Sequence, residues 1–184
     1  MLRNHTMNFQ KTEIEGLLII TPDVFQDDRG VFLETYNREV FEKNGLPINF
    51  VQDNRSISKK HVLRGLHFQK PPYEQGKLVS VAQGAVLDVA VDLRKHAPTF
   101  GKWKSVLLSS DNKLMFWIPE GFAHGFIALE DDTVFQYKCT NVYHKESEGI
   151  IRWNDPDLNI EWGVTNPILS EKDAAAPLFK DYRC

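Results

Sequence analysis

Residues 77–93 read KLVSVAQGAVLDVAVDL, and this stretch decides the fold class. It holds two apolar segments of strand length, residues 77–82 and 85–93, and the intervening Gln83-Gly84 is typical of a hairpin turn. Similar short segments, bounded by turn residues, recur along the chain on both sides. They are residues 17–20, 31–36, 50–58, 63–68, 103–109, 114–118, 125–129 and 133–140. The pattern predicts an all-β protein, and a sandwich or barrel such as a jelly roll would satisfy it.

Only two stretches of the chain are typical of helices, and both are short. Residues 38–44 make about two turns of helix, and Gly45 then stops the helix. Residues 170–176 begin with Ser170, a residue type that commonly caps a helix N-terminus, and Pro177 ends the stretch. A fold with many strands and few helices must also protect its sheet edges, which favours a dimer.

Composition and charge exclude several classes of protein. We interpret residues 1–184 as a single domain, with residues 1–10 as a loose terminus. The net charge of −3 gives no global positive field for a nucleic acid. Residues 1–10 lack the apolar core of a signal peptide, and the apolar run 17–20 is too short to cross a membrane. Cys139 and Cys184 form neither a CxxC pair nor zinc-ligand spacing, so a cytoplasmic protein is expected.

Residues 63–68 read LRGLHF and place an arginine close to a histidine. Arginine is rarely buried without an anionic partner, which favours a binding role for Arg64. In a regular strand Arg64 and His67 point to opposite faces, so both reach one pocket only if the strand kinks. Gly65 is the candidate kink site. Otherwise one of the two side chains faces away, or His67 is an ordinary buried histidine of the core.

Lys77, His124 and Tyr137 each allow a structural and a chemical interpretation. Lys77 shares a face with Val79, so it is either a partly desolvated ammonium in the interior or a snorkelling lysine at a strand end. His124 lies between two glycines in GFAHGF, and is either aimed inward from a tight loop or buried as a core histidine. Tyr137 shares a face with Phe135, and is either a core tyrosine or a proton donor in a pocket.

Two other polar groups are unspecific by themselves, and a metal site is disfavoured. Residues 28–30 (DRG) form either a turn with a surface arginine or a ligand contact, and residues 52–54 (QDN) supply amides that suit a base or a sugar. Phe68 and Gln69 follow His67, so the His-x-His pair that metal-binding barrels often carry is absent. The sequence has no Gly-rich phosphate loop and no Rossmann fingerprint.

Taken together, seven motifs in this order resemble the dTDP-4-dehydrorhamnose 3,5-epimerase family. They span residues 27–173 and read DDRGVFLE, QDNRS, LRGLHFQ, QGKLV, GFAHGF, FQYKCTNVY and LSEKD. The resemblance implies a cupin-like double-stranded β-helix (a jelly roll) with a few short peripheral helices. It also implies a homodimer that uses no metal and no other cofactor. The implied reaction is epimerisation of dTDP-4-dehydro-6-deoxy-D-glucose at C3 and C5 to dTDP-4-dehydro-L-rhamnose.

The resemblance also carries the family's residue roles to the matching positions. It implies that His67 is the general base, paired with Asp173. Lys77 is expected to contact the C4 oxygen, and Tyr137 to be the acid on the opposite face of the sugar. The other expected contacts bind the nucleotide or the sugar, some of them across the dimer interface: Phe25, Arg29, Glu34, Gln52, Asn54, Arg64, His124, Glu148 and Lys172.

Three alternative functions stay open from the sequence. The first is a mono-epimerase that inverts only C3 or only C5. The second is a non-catalytic cupin that binds a sugar nucleotide, although an intact set of His67, Lys77 and Tyr137 argues against it. The third is a metal-dependent cupin enzyme.

Overall fold

A computed structural model describes residues 7–46 and 49–182, and most of the regular structure is β. This part of the chain has thirteen β-strands and two short α-helices. The strands are β1 (Asn8–Lys11), β2 (Leu18–Thr21), β3 (Val24–Asp27), β4 (Gly30–Leu33), β5 (Gln52–Ser58), β6 (Leu63–Gln69), β7 (Lys77–Gln83), β8 (Ala85–Asp92), β9 (Trp103–Ser109), β10 (Met115–Ile118), β11 (Phe122–Ala128), β12 (Thr133–Cys139) and β13 (Glu148–Ile150). The helices are α1 (Arg38–Lys43) and α2 (Glu171–Ala174).

The strands form two antiparallel sheets that pack face to face, and a separate two-stranded hairpin. The first sheet has the order β1-β2-β10-β7-β12-β5, the second has the order β13-β6-β11-β8-β9, and β3 pairs with β4. The hydrophobic core between the sheets takes Val79 and Phe135 from the first sheet and Val86 and Phe126 from the second. The predicted all-β jelly roll with short peripheral helices is therefore confirmed.

The stretch 77–93 folds differently from the expected hairpin. β7 pairs with β10 and β12 in the first sheet, whereas β8 pairs with β9 and β11 in the second. The turn at Gln83-Gly84 is therefore a corner between the two sheets, and the hairpin prediction was wrong. A corner between packed sheets needs the same turn residues as a hairpin within one sheet, so the local sequence does not separate the two.

Both predicted helices are present, and each has a side-chain cap. The side chain of Asn37 accepts hydrogen bonds from the backbone amides of Glu39 and Val40 at the start of α1. The side chain of Ser170 accepts from the backbone amide of Asp173 in α2. Three strands were not predicted, namely β1, β3 and β13. Each has only three or four residues, which is too short for a clear alternation of apolar and polar positions.

Residues 7–10 of the N-terminal segment are ordered. We expected residues 1–10 to be loose, but β1 begins at Asn8 and pairs antiparallel with β2. Met7 is buried in one cluster with Phe41 of α1 and with Leu78, on the outer face of the first sheet. This packing explains why residues 7–11 are held although their sequence is not strand-like. Residues 1–6 and Cys184 lie outside the described residues.

Strand β6 is irregular at Gly65, where the sequence predicted a kink. On the neighbouring β11, His124 pairs with His67 and Phe126 pairs with Arg64, with a register shift between the two pairs. His124 and Phe126 are two residues apart and share a face, whereas Arg64 and His67 are three apart. β6 therefore carries an extra residue at this point, as in a β-bulge. The bulge turns Arg64 and His67 toward the same face of the sheet.

We expect Gly65→Ala to destabilise the fold because β6 and β11 approach closely at this point. A Cβ atom would lie 2.5 Å from the Cα of Gly125 and 3.0 Å from the carbonyl oxygen of His124, and φ at Gly65 is +139°. Overpacking of this kind costs about 1–3 kcal/mol, and the positive φ adds strain. Urea denaturation measures the loss of unfolding free energy.

The matched control is Gly163→Ala. Gly163 also has a positive φ, +71°, but apart from its chain neighbours no described atom lies within 4 Å of the added Cβ. This variant therefore shows the cost of the backbone conformation alone. Equal losses of stability in the two alanine variants would contradict the close approach of β6 and β11.

Candidate active site

His67 and Asp173 meet in the fold although they are far apart in the sequence. His67 lies on β6, and Asp173 lies on α2. The Nε2 atom of His67 is 2.6 Å from Oδ1 of Asp173, across a separation of 106 residues. Asp173 is buried, with 3% of its surface exposed. The Ser170 cap fixes the backbone of Asp173, so the short helix aims this carboxylate at the imidazole ring.

This pair has the geometry of a general base held by a carboxylate. Burial raises the pKa of Asp173, but the hydrogen bond from His67 opposes this effect, and the pKa of Asp173 lies below its ordinary value. Asp173 is therefore ionised near neutral pH and accepts the hydrogen bond from His67 Nε2. The proton on Nε2 leaves Nδ1 as the basic nitrogen of the ring. Within the described residues Nδ1 has no hydrogen-bond partner, so it can receive a proton.

A second histidine–aspartate pair lies beside the first. His124 faces His67 directly across the β6–β11 pairing. Its Nε2 atom is 2.9 Å from Oδ2 of Asp88, and both residues are buried. Burial lowers the pKa of His124, and the positive charge of Lys77 lowers it further, against the opposing effect of Asp88. His124 is therefore a neutral ring that donates to Asp88.

Lys77 and Tyr137 lie on neighbouring strands of the opposite sheet. The Nζ atom of Lys77 is 5.8 Å from the centre of the Tyr137 ring. Burial lowers the pKa of Lys77, while Cys139 and the carboxylates of Asp88 and Glu148 oppose that shift. Burial also raises the pKa of Tyr137 to about 12, although the charge of Arg64 acts in the opposite direction. The phenol of Tyr137 is therefore protonated and able to donate.

Arg64 joins this group because of the bulge in β6. Its Nε atom donates to Oγ of Ser58 at 3.3 Å, and its positive charge acts on Tyr137. The side chain is exposed, so its guanidinium is accessible to an anionic ligand. The structure thus brings Arg64, His67 and Tyr137 to one region.

Four of the expected ligand contacts form a connected polar network. Nζ of Lys172 is 2.6 Å from Oε1 of Glu148, and the phenol of Tyr143 donates to Oε2 of Glu148 at 3.2 Å. The backbone amide of Tyr143 donates to Oε1 of Gln52 at 2.8 Å, and Nε2 of Gln52 donates to Oδ1 of Asn54 at 3.1 Å. Tyr143 connects the two halves of this network.

The remaining expected contacts are not brought to the histidines within this chain. Phe25 lies on β3, and Arg29 lies in the turn that joins β3 to β4. Arg29 is exposed and forms a 2.6 Å ion pair with Asp27 in the same turn. Glu34 follows β4, and its Oε1 atom is buried with no hydrogen-bond partner among the described residues.

Sequence reasoning missed two residues of the site, Asp88 and Tyr143. Asp88 is in phase with Val86 and Ala90, both of which point into the core. A charged residue at a core position of an apolar strand is a signal of a functional or paired carboxylate, and it was available in the sequence. Tyr143 has no comparable pattern around it.

Two further findings concern metals and membranes. Among residues 7–46 and 49–182, no group of three or more His, Cys, Asp or Glu side chains is arranged to hold a metal ion. In the same residues, no helix has the length and apolar character needed to span a membrane.

Comparison with known proteins gives consistent matches over nearly the whole chain. A family model described as dTDP-4-dehydrorhamnose 3,5-epimerase matches residues 11–181. A protein of that name from Shigella flexneri is 56% identical over 176 residues, which is 95% of this chain and 97% of the relative.

Solved structures also match closely. The crystal structure of dTDP-4-dehydrorhamnose 3,5-epimerase from Elizabethkingia anophelis has a TM-score of 0.91 and 53% identity, and the match covers 95% of this chain and 97% of that chain. The dTDP-6-deoxy-D-glucose-3,5-epimerase of Legionella pneumophila, solved in complex with dTDP-4-keto-L-rhamnose, has a TM-score of 0.93 and 50% identity. That match covers 97% of this chain and 95% of the Legionella chain.

Proposed function

The chain belongs to the dTDP-4-dehydrorhamnose 3,5-epimerase family and is an epimerase, and from that premise we propose how its residues perform the reaction. The substrate is dTDP-4-dehydro-6-deoxy-D-glucose, and inversion of C3 and C5 gives dTDP-4-dehydro-L-rhamnose. The observation that carries the proposed mechanism is the 2.6 Å hydrogen bond between His67 and Asp173, in the interior that also holds Lys77 and Tyr137.

Proton removal is the first step, and His67 is its base. The C4 ketone of the substrate acidifies the hydrogens on C3 and C5. The Nδ1 atom of His67 takes one of these protons, and the ring becomes an imidazolium. The ionised carboxylate of Asp173 holds the ring in position and stabilises its positive charge. A histidine suits this step because its ordinary pKa lies near neutral pH.

The electron pair left by the proton forms an enolate, and its negative charge settles on the C4 oxygen. We assign Lys77 to that oxygen. A preorganised cation at this position stabilises charge that is present in the transition state and absent in the ketone, so it accelerates the reaction. The carboxylates that oppose the lowering of the Lys77 pKa favour its charged form.

Inversion requires a proton from the face of the sugar opposite to His67. Tyr137 supplies this proton, since its phenol is protonated and lies on the strand pair across the interior. The enolate carbon gains the phenolic proton. The imidazolium then returns its proton to solvent and the phenolate of Tyr137 takes one up, so both residues are restored. One C–H bond breaks and one forms at each centre, so only protons move and the reaction needs no oxidant or reductant.

Tyr137→Phe is expected to separate proton removal from inversion. Without the phenol, His67 still removes a proton and can return a proton from solvent to the same face. Exchange of substrate hydrogen for solvent deuterium therefore continues, whereas inversion falls by about 10²–10⁴-fold, the usual contribution of a general acid. We expect the larger loss at C5. Proton NMR in D2O, with the product stereochemistry measured in parallel, tests this. Loss of exchange and inversion in equal measure would contradict the assignment of Tyr137 as the acid.

We also propose that the working unit is a homodimer in which the β3–β4 hairpin contacts the nucleotide at the partner's site. The hairpin forms a sheet of its own, and its Val31 and Phe32 are 48% and 60% exposed. Phe25, Arg29 and Glu34 lie on or beside it, away from His67. Light scattering should give the mass of a dimer, and a monomer with full activity would argue against this part of the proposal.

The product distinguishes the full epimerase from its alternatives. The purified protein is incubated with dTDP-4-dehydro-6-deoxy-D-glucose, and a reductase that acts on C4 traps the product. An L-configured sugar inverted at both C3 and C5 is expected. A sugar inverted at one carbon would indicate a mono-epimerase, and binding of dTDP without any product would indicate a non-catalytic cupin.

We propose a cytoplasmic location, since the sequence lacks a disulfide pattern.

A further inference from the structure

Asp88 is a fully buried carboxylate that contacts His124. It lies on β8 in phase with Val86 and Ala90, so its side chain points into the interior between the sheets. None of its surface is exposed. Oδ2 accepts a hydrogen bond from Nε2 of His124 at 2.9 Å, whereas Oδ1 is buried with no hydrogen-bond partner among the described residues. A buried carboxylate in this setting is costly unless a positive charge balances it.

The interior offers such a charge, because Lys77 points into it from the opposite sheet. Lys77 is in phase with Val79 and Val81, which belong to the same core cluster as Val86 and Ala90. The titratable groups that act on Lys77 are Cys139, Asp88 and Glu148. Those that act on His124 are Asp88, Lys77 and His67. Asp88 is the one group that acts on both Lys77 and His124.

Glu148 is a weaker candidate for the same task. Its carboxylate is already engaged by Lys172 at 2.6 Å and by the phenol of Tyr143 at 3.2 Å. Asp88 forms no ion pair with a lysine or arginine of the described residues at a distance of 4.0 Å or less. The negative charge of Asp88 is therefore not neutralised by another lysine or arginine of the described residues, and it can act on Lys77.

We propose that Asp88 is a positioning residue for the epimerisation: it fixes the ring of His124 with the proton on Nε2, and its charge keeps Lys77 as an ammonium where the enolate forms. The inference rests on the proposed function, because Asp88 acts through Lys77 and His124 and not on the substrate. The roles of His67 as base and Tyr137 as acid do not include this requirement, namely that Lys77 at the C4 oxygen needs a buried counter-charge.

Asp88→Asn tests the proposal with little change in shape. The amide oxygen can still accept from His124, but the negative charge is lost and the pKa of Lys77 falls. We expect kcat near neutral pH to drop by at least about tenfold. The drop should be smaller than the loss of about 10²–10³-fold that follows removal of a direct contact to the oxyanion. The alkaline limb of the pH–rate profile should also shift to lower pH, because Lys77 loses its proton earlier. KM should change less than kcat.

The matched control is Asp92→Asn. Asp92 is also on β8 and fully buried, but its carboxylate pairs with Arg94 at 2.8 Å and accepts from Thr99. We expect this variant to lose stability and to keep the wild-type pH–rate profile. A purely structural role for Asp88 predicts that both variants lose stability while neither shifts the profile, and that result would overturn the proposal.

A double-mutant cycle separates action through Lys77 from independent action. In a Lys77→Met background, Asp88→Asn should change the exchange rate by less than about twofold, since the two groups act as one unit. The same penalty in both backgrounds would overturn the proposal.

The same assay distinguishes failure of this inference from failure of the proposed function. If wild-type protein is inactive in this assay, the proposed function fails. If wild type is active and Asp88→Asn matches it in rate and pH profile, only this inference fails.

A measurement on the wild-type protein covers the case in which the variants do not fold. Nitrogen-15 NMR above about pH 7 should show His124 as a neutral ring protonated on Nε2, since burial lowers its pKa below the ordinary value. A neutral ring protonated on Nδ1 alone would overturn the assignment of Asp88 as the group that fixes His124.

Discussion

His67→Asn should reduce deuterium exchange at both C3 and C5 by about 10²–10⁴-fold, the usual contribution of a general base. Asparagine has no basic nitrogen at the position of Nδ1, so no group takes the substrate proton. Asp173, on the other side of the ring, is left without its 2.6 Å partner. Both carbons are expected to be affected because one base serves both. The rates are measured by proton NMR in D2O, and the Kd for dTDP should stay within about twofold of wild type.

The control for this variant is His61→Asn. His61 is exposed in the turn before β6 and has φ +66°, a conformation that asparagine tolerates well. It should exchange both hydrogens at the wild-type rate. If His67→Asn exchanges C3 at the wild-type rate while C5 is blocked, two different bases act, and the assignment of a single base is wrong.

Lys77→Met is expected to lower kcat by about 10²–10³-fold, the cost of removing one preorganised contact to an oxyanion. Methionine fills similar space but carries no charge, so the enolate oxygen loses its cation. The loss should fall on kcat and on kcat/KM together, because the interaction is made with developing charge. Initial rates over a range of substrate concentrations separate the two constants.

The control for this variant is Lys104→Met. Lys104 lies on β9, and its ammonium is paired with the exposed carboxylate of Glu13 at 3.0 Å. Its removal should change neither kcat nor KM. A Lys77→Met enzyme with raised KM and unchanged kcat would show that Lys77 only binds the ground state, and the enolate assignment would then be wrong.

The sequence predicted the core strands of the sandwich well. Their inward positions are buried and therefore apolar, which gives an alternating pattern that can be recognised in the sequence. Segments such as 77–82 and 133–140 have apolar residues at alternate positions, and these residues pack between the two sheets. The edge strand β1 and the hairpin strand β3 carry no such alternation because they are mostly exposed. The turn at 83–84 was recognised as a turn, but whether it closes a hairpin or a corner depends on which strands pair afterwards.

The candidate site was only partly accessible from local sequence. The kink at Gly65, which turns Arg64 and His67 to one face, followed from the spacing of the two side chains and from the glycine between them. The contact between His67 and Asp173 joins residues 106 positions apart, so no local pattern predicts it, and the expectation came from the resemblance. Asp88 is a charged residue at an inward position of the apolar strand 85–93, a signal that the local sequence does carry.

The most direct test of the central claim is solvent exchange in the wild-type protein. The purified enzyme is incubated with dTDP-4-dehydro-6-deoxy-D-glucose in D2O, and deuterium at C3 and C5 is followed by NMR. We expect deuterium to enter at both carbons and the product to carry the inverted configuration at both. A product inverted at both carbons that retains the original hydrogens would contradict proton exchange through His67 and Tyr137. If folded protein that binds dTDP exchanges neither the C3 nor the C5 hydrogen, the proposed epimerisation mechanism is wrong as a whole.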